Sequence, residues 1–97
     1  MNKEQLITIE EFSTHYKVES SFIHSLAEFG LIEIIIIEET HYLPKEQISE
    51  VEKMIRMHYE LDINLEGIEA ISHLLQRINR LQEELTALKN RFHPDLS

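Results

Sequence analysis

Apolar residues recur along this chain in several rhythms, and each rhythm predicts an element. Ile9, Phe12 and Tyr16 fall at the spacing of one helix face, and Thr8 stands three residues ahead of Glu11 as in a capping box. A first helix is expected there. Val18 marks a tight turn, and a second helix opening at Glu19 or Ser20 carries Phe22, Ile23, Leu26 and Phe29, with Gly30 supplying the left-handed residue that ends it. From Leu31 to Pro44 the rhythm changes. Ile34, Ile35, Ile36 and Ile37 are β-branched in succession, Glu38, Glu39 and Thr40 interrupt, and Tyr42 and Leu43 resume, which predicts a hairpin. Pro44 suits the first turn of a third helix whose buried face would be Ile48, Val51, Ile55 and Tyr59.

The last rhythm is a heptad. After a break at Asp62 and Ile63, Asn64 can cap a long helix in which Ile71, Ile78, Leu85 and Phe92 share one heptad position and Leu74, Leu81 and Leu88 the other. These seven residues are the expected dimerisation seam. A parallel pair would set Glu84 against Lys89 of the mate, an antiparallel pair closes equally well, and a helix folded back on its own domain is a third solution. Ile68 and Leu75 widen the apolar stripe at the near end, so that end should pack on the globular part. The expected fold is mainly α: a winged helix-turn-helix-like domain over 1–63 with a short β-hairpin wing, then a long C-terminal coiled-coil helix over 64–97.

Charge changes this picture. A helix-turn-helix with a wing suggests a nucleic-acid reader, yet the chain has nine Lys plus Arg against eighteen Asp plus Glu. The first fifty-two residues hold only Lys3, Lys17 and Lys45 against eleven glutamates, where a phosphate backbone would have to dock. Such a surface repels a polyanion and attracts a basic protein. From residue 53 onward the balance is nearly neutral, with six basic and seven acidic residues.

Composition also removes several chemistries. Without cysteine there is no disulfide frame, thiolate metal site or thiol redox couple. No run approaches the roughly 18 apolar residues of a membrane span, and Met1 to Glu11 lacks the basic and apolar regions of a signal peptide, so a cytoplasmic location is expected. His15, His24, His41, His58, His73 and His93 show no HxxxH or HExxH spacing, and a metal site assembled from distant histidines would leave no signature in sequence. No serine elbow, glycine-rich phosphate loop or framed carboxylate pair is present. No enzyme, cofactor or metal is expected.

Several stretches carry a family resemblance: "ITIEEF" at the first helix, "GLIE" after the second, "EETHYL" in the wing, and "RMHYELDINLEGIEAI" from Arg56 to Ile71. In this order and near-gapless spacing the chain resembles the MerR-type winged-helix superfamily, and within it the CbpM chaperone modulators. The resemblance covers nearly the whole chain. It implies a non-enzymatic protein that binds the J-domain of a DnaJ-like, DNA-associated co-chaperone and blocks its stimulation of a DnaK-type chaperone. The DNA-binding branch of the superfamily implies the alternative, a transcriptional regulator. Against it, "SSFIHSLAEFG" and "IEIIIIEETHYL" lack the Arg and Lys that would meet phosphates and base edges.

The candidate partner-binding residues follow from charge and pattern: the acidic set Glu10, Glu11, Glu28, Glu33, Glu38 and Glu39, with Ile35 and Ile37 as an outward apolar pair. A strand alternates faces, so two of the four consecutive isoleucines need a second covering surface, either the partner protein or else the dimer mate or the last helix. His93 to Leu96 echoes the His-Pro-Asp signature of J-domains, but the helical hairpin that carries it there is absent.

Overall fold

The computed structural model describes residues 3–92; the His93-to-Leu96 motif and the end of the 64–97 segment lie outside them. Thr8 caps the first helix, α1 (Ile9–Tyr16), by accepting from the Glu11 backbone N–H at 3.1 Å. The helix stops in a Schellman turn: Lys17 takes the left-handed conformation and Val18 N–H reaches back to the Ser13 carbonyl. α2 (Ser20–Glu28) follows and ends in the same way. There Gly30 sits at φ 75°, Gly30 N–H reaches Ala27 and Leu31 N–H reaches Leu26. Two helices joined by this tight turn form the helix-turn-helix.

The hairpin comprises β2 (Ile35–Ile37) and β3 (Thr40–Pro44), joined by Glu38 and Glu39. Both turn residues have positive φ, 49° and 67°, the pattern of a type I′ turn. An unexpected strand, β1 (Leu6–Thr8), pairs antiparallel with β3 and makes a three-stranded sheet in the order β1-β3-β2. β3 is thus the central strand, with Leu43 fully buried. Pro44 closes β3 opposite Leu6 and, one step before the expected helical position, caps the 3-10 turn that leads into the third helix. As the last strand residue it can lack an N–H without breaking the ladder.

A short 3-10 turn, Lys45–Gln47, leads into α3 (Ile48–Ile55), which buries Val51 and Met54. Arg56–Glu60 then continues as a π-helix, with Leu61 N–H donating to the Arg56 carbonyl. A π turn takes in one residue more than an α turn, so positions beyond Ile55 slip off the α spacing. Tyr59, expected inside, is therefore 46% exposed. Tyr16 ties α1 to α3 through a 2.7 Å bond from its hydroxyl to Glu52.

The long helix α4 (Leu65–Phe92) begins after Asp62 in a left-handed conformation. The Asn64 side chain accepts from Gly67 N–H at 2.8 Å. A Cβ on Gly67 would meet Ile63 Cγ2 at 2.7 Å, so only glycine lets Ile63 close over this helix start. Ile68, fully buried, joins Ile9, Phe12, Phe22, Ile23, Leu26, Ile32, Leu43, Val51 and Met54 in one core. The near end of α4 therefore packs on the domain, although Leu75 stays partly open. The rest of α4 projects. The radius of gyration is 17.2 Å, against about 13 Å for a compact chain of this size.

Two measurements check this packing. Ile68→Ala should lower the unfolding free energy by about 2–5 kcal/mol in urea, the cost of a large-to-small core change; a loss under about 0.5 kcal/mol would mean α4 is an independent appendage. The hydrogen bond to Glu52, then burial, then the Glu52 charge raise the Tyr16 phenol above its usual value of 10.0. Its contribution is complete below pH 10 and fades as pH rises through the folded value, so Tyr16→Phe should flatten the alkaline decline in stability.

Candidate functional site

Two surfaces of a winged helix-turn-helix reach outward: the exposed side of α2 and the hairpin. On α2 the outward residues are Ser20, Ser21 and Glu28, with His24 and Ser25 half-buried. The wing ends in Glu38 and Glu39. Neither element contains a lysine or arginine. Glu10 and Glu11 are exposed in the first turn of α1, where the helix dipole favours carboxylates, and Glu33 is exposed on the loop entering β2. Among the described residues none of these six carboxylates forms an ion pair. The negative charge therefore faces solvent unneutralised.

The structure brings some of the acidic residues together and leaves others apart. Glu10 and Glu39 line one recess of about 370 Å³ with Thr8, Ser20, His24, Thr40 and His41. Glu11, Glu28, Glu33 and Glu38 are not part of its lining. Gln47 fixes the Glu33 backbone with two bonds: Glu33 N–H donates to Gln47 Oε1 at 2.9 Å, and Gln47 Nε2 donates to the Glu33 carbonyl at 3.0 Å. This clamp sets where the wing begins.

The isoleucines of the wing divide between the two faces as alternation predicts, but their exposure does not follow the faces. Ile35 pairs with Tyr42 and Ile37 with Thr40, so both lie on the sheet face away from Leu43, and both are half-buried. Ile36, paired with His41, shares the side of Leu43 but lies beyond the reach of the core and is 62% exposed. The open apolar residue of the wing is thus Ile36, in place of the outward pair Ile35 and Ile37. Alternation alone names the faces without saying how far the core extends along the hairpin.

Along α4, Ile71 is half-buried at the edge of the domain, while Leu74, Ile78, Leu81, Leu85, Leu88 and Phe92 are all exposed, Phe92 to 70%. The seam does not fold back onto its own domain. A contiguous apolar stripe of this kind marks an interaction surface.

Sequence reasoning passed over one pair completely. His24 of α2 and His41 of β3 meet, with Nε2 of the first 3.1 Å from Nδ1 of the second. Seventeen residues separate them, so no local spacing foretold the contact; it depends on the register that places His41 opposite Ile36. A second histidine contact stacks His58 on Phe22 at 4.6 Å between ring centres, with His58 Nδ1 bonded to the Ile63 carbonyl.

A family model described as MerR HTH family regulatory protein matches residues 7–90. No curated protein and no solved structure matches the chain.

The turn geometry generates a prediction. A type I′ turn favours Asn-Gly, and a side chain in the left-handed region costs about 1–2 kcal/mol. Glu38→Asn with Glu39→Gly should therefore raise thermal stability by about 1 kcal/mol, measured by calorimetry. An unchanged or lower melting temperature would show that the two glutamates carry no conformational cost.

Proposed function

This chain belongs to the MerR HTH family of regulatory proteins, and from that premise we propose that it regulates by gripping a protein rather than DNA. The occupant is the J-domain of a DnaJ-like co-chaperone, in the manner of the CbpM modulators it resembles. One observation carries the reading: α2 and the wing, the two elements a family member would lay on a duplex, have no cation and present unpaired glutamates. Affinity for DNA comes largely from neutralising phosphates, so this surface lacks its main source. A basic helical face, such as a J-domain presents to its chaperone, has the complementary charge. Ile36, exposed on the wing that ends in Glu38 and Glu39, adds an apolar contact. The mechanism is occlusion: a J-domain held here is unable to stimulate a DnaK-type chaperone, and no covalent chemistry is involved.

The α4 seam gives the protein its proposed quaternary form, a homodimer closed over Leu74, Ile78, Leu81, Leu85, Leu88 and Phe92, with Ile71 at its base. Two wings per particle would then be available to partners. The fold itself favours a second reading, a DNA-binding transcriptional regulator, since helix-turn-helix and wing are both formed.

Calorimetric titration with an isolated J-domain, beside mobility shifts with duplex DNA at matched ionic strength, tests both readings. The expected result is J-domain binding that weakens steeply with salt and is reduced by Ile36→Glu, which leaves stability within about 0.5 kcal/mol. DNA should not shift. Salt-independent binding, or retention of DNA alone, would overturn the proposal. Light scattering should give twice the chain mass, and Leu81→Glu should halve it without loss of helix content.

A further inference from the structure

His24 and His41 are positioned for something that neither the charge argument nor the family membership uses. We infer that they form a binding site for a borderline divalent metal ion, of the zinc or nickel class, clamping the wing to α2.

The protonation pattern is the first ground. His24 Nδ1 lies 2.8 Å from the Ser20 carbonyl, which can only accept, so Nδ1 carries the proton and Nε2 keeps its lone pair. That is the arrangement of a metal-ligating histidine, whose other nitrogen donates to a backbone carbonyl and fixes the tautomer. His41 Nδ1 faces that lone pair at 3.1 Å. Without metal it donates its proton to His24; with the proton moved to Nε2, both lone pairs face one gap, and tilting the two rings aims them at a single ion.

Distance is the second ground. Two nitrogens bound at about 2.0–2.1 Å to a tetrahedral ion stand about 3.3–3.4 Å apart. The rings are within a few tenths of an ångström of that separation and need little reorganisation. The recess beside them, about 370 Å³, is large enough to admit water and is lined in part by Glu10 and Glu39. Among the described residues no three histidine, aspartate or glutamate side chains are already gathered around one point. The fixed donors are the two imidazoles, completed by water and by whichever carboxylate swings inward, and the affinity is correspondingly moderate. Nitrogen donors select the zinc and nickel class over calcium or magnesium.

An ion here bonds the wing to α2 directly, replacing a single hydrogen bond between them. It also puts positive charge at the edge of the acidic face. The inference stands whether or not the partner is a J-domain.

Titration of EDTA-stripped protein with zinc chloride and with nickel chloride, followed by calorimetry and by histidine ring nitrogen shifts, tests it. One ion per chain is expected, with movement of the His24 Nε2 and His41 Nδ1 resonances and a raised melting temperature. His24→Ala and His41→Ala should each weaken binding by about tenfold or more. His15→Ala and His73→Ala, on exposed helical positions, should leave it unchanged. Melting of each variant in EDTA establishes that it is folded. Affinity should fall on acidification, since protons compete for the same lone pairs. No saturable binding at millimolar metal, or binding that survives both His24→Ala and His41→Ala, would leave the pair as a hydrogen bond and overturn the site.

Discussion

Leu43 is where this structure is pinned. It lies on the middle strand of a three-stranded sheet, fully buried, with β1 on one side and β2 on the other. Its burial commits the sheet's facing side to α1 and α2, and the pleat then decides every other wing position. His41, two residues back on the same face, is brought to α2 and His24; Ile36, across from His41, is carried past the edge of the core and left open. Ile35, Ile37 and Tyr42 go to the other face. A one-residue slip of β3 would exchange these sets, so core packing and the exposed surface depend on one register.

The same core anchors the long helix at a single fully buried residue, Ile68. Beyond the half-buried Ile71, α4 carries an exposed apolar stripe from Leu74 to Phe92 over four turns or more. Exposed apolar stripes of this kind on small chains are the sort of surface used for interaction. The globular part and the projecting helix therefore divide the labour: one presents charge, the other presents apolar area.

Much of this was legible before any coordinates. Thr8, Gly30 and Asn64 are local devices whose meaning is fixed by a few neighbouring residues, and each acts where expected. The heptad of α4 is long enough to be unambiguous. What escaped is non-local or shifted in phase. β1 has just three residues and owes its existence to β3, thirty-odd positions away in the chain. The π-helical turn after Ile55 has no signature in residue type, yet it moves Tyr59 to the surface. Pro44 fits equally well as a first helical residue or a last strand residue, and pairing with Leu6 decides it. In the candidate site the acidic character was plain from composition. The choice of Ile36 over Ile35 and Ile37, and the meeting of His24 with His41, required knowing how far the core reaches beneath the hairpin.

Family membership makes the charge of α2 and the wing the central fact: both elements are formed, and neither carries a lysine or arginine. The most direct test is a map of contact on the molecule itself, by amide chemical shifts of the labelled protein on addition of an unlabelled J-domain. The account predicts changes concentrated on α2, Ile36 and the Glu38–Glu39 turn, with the outer half of α4 unaffected. Changes confined to α4, none at saturating J-domain, or the same α2 and wing changes evoked by duplex DNA at physiological salt would contradict it.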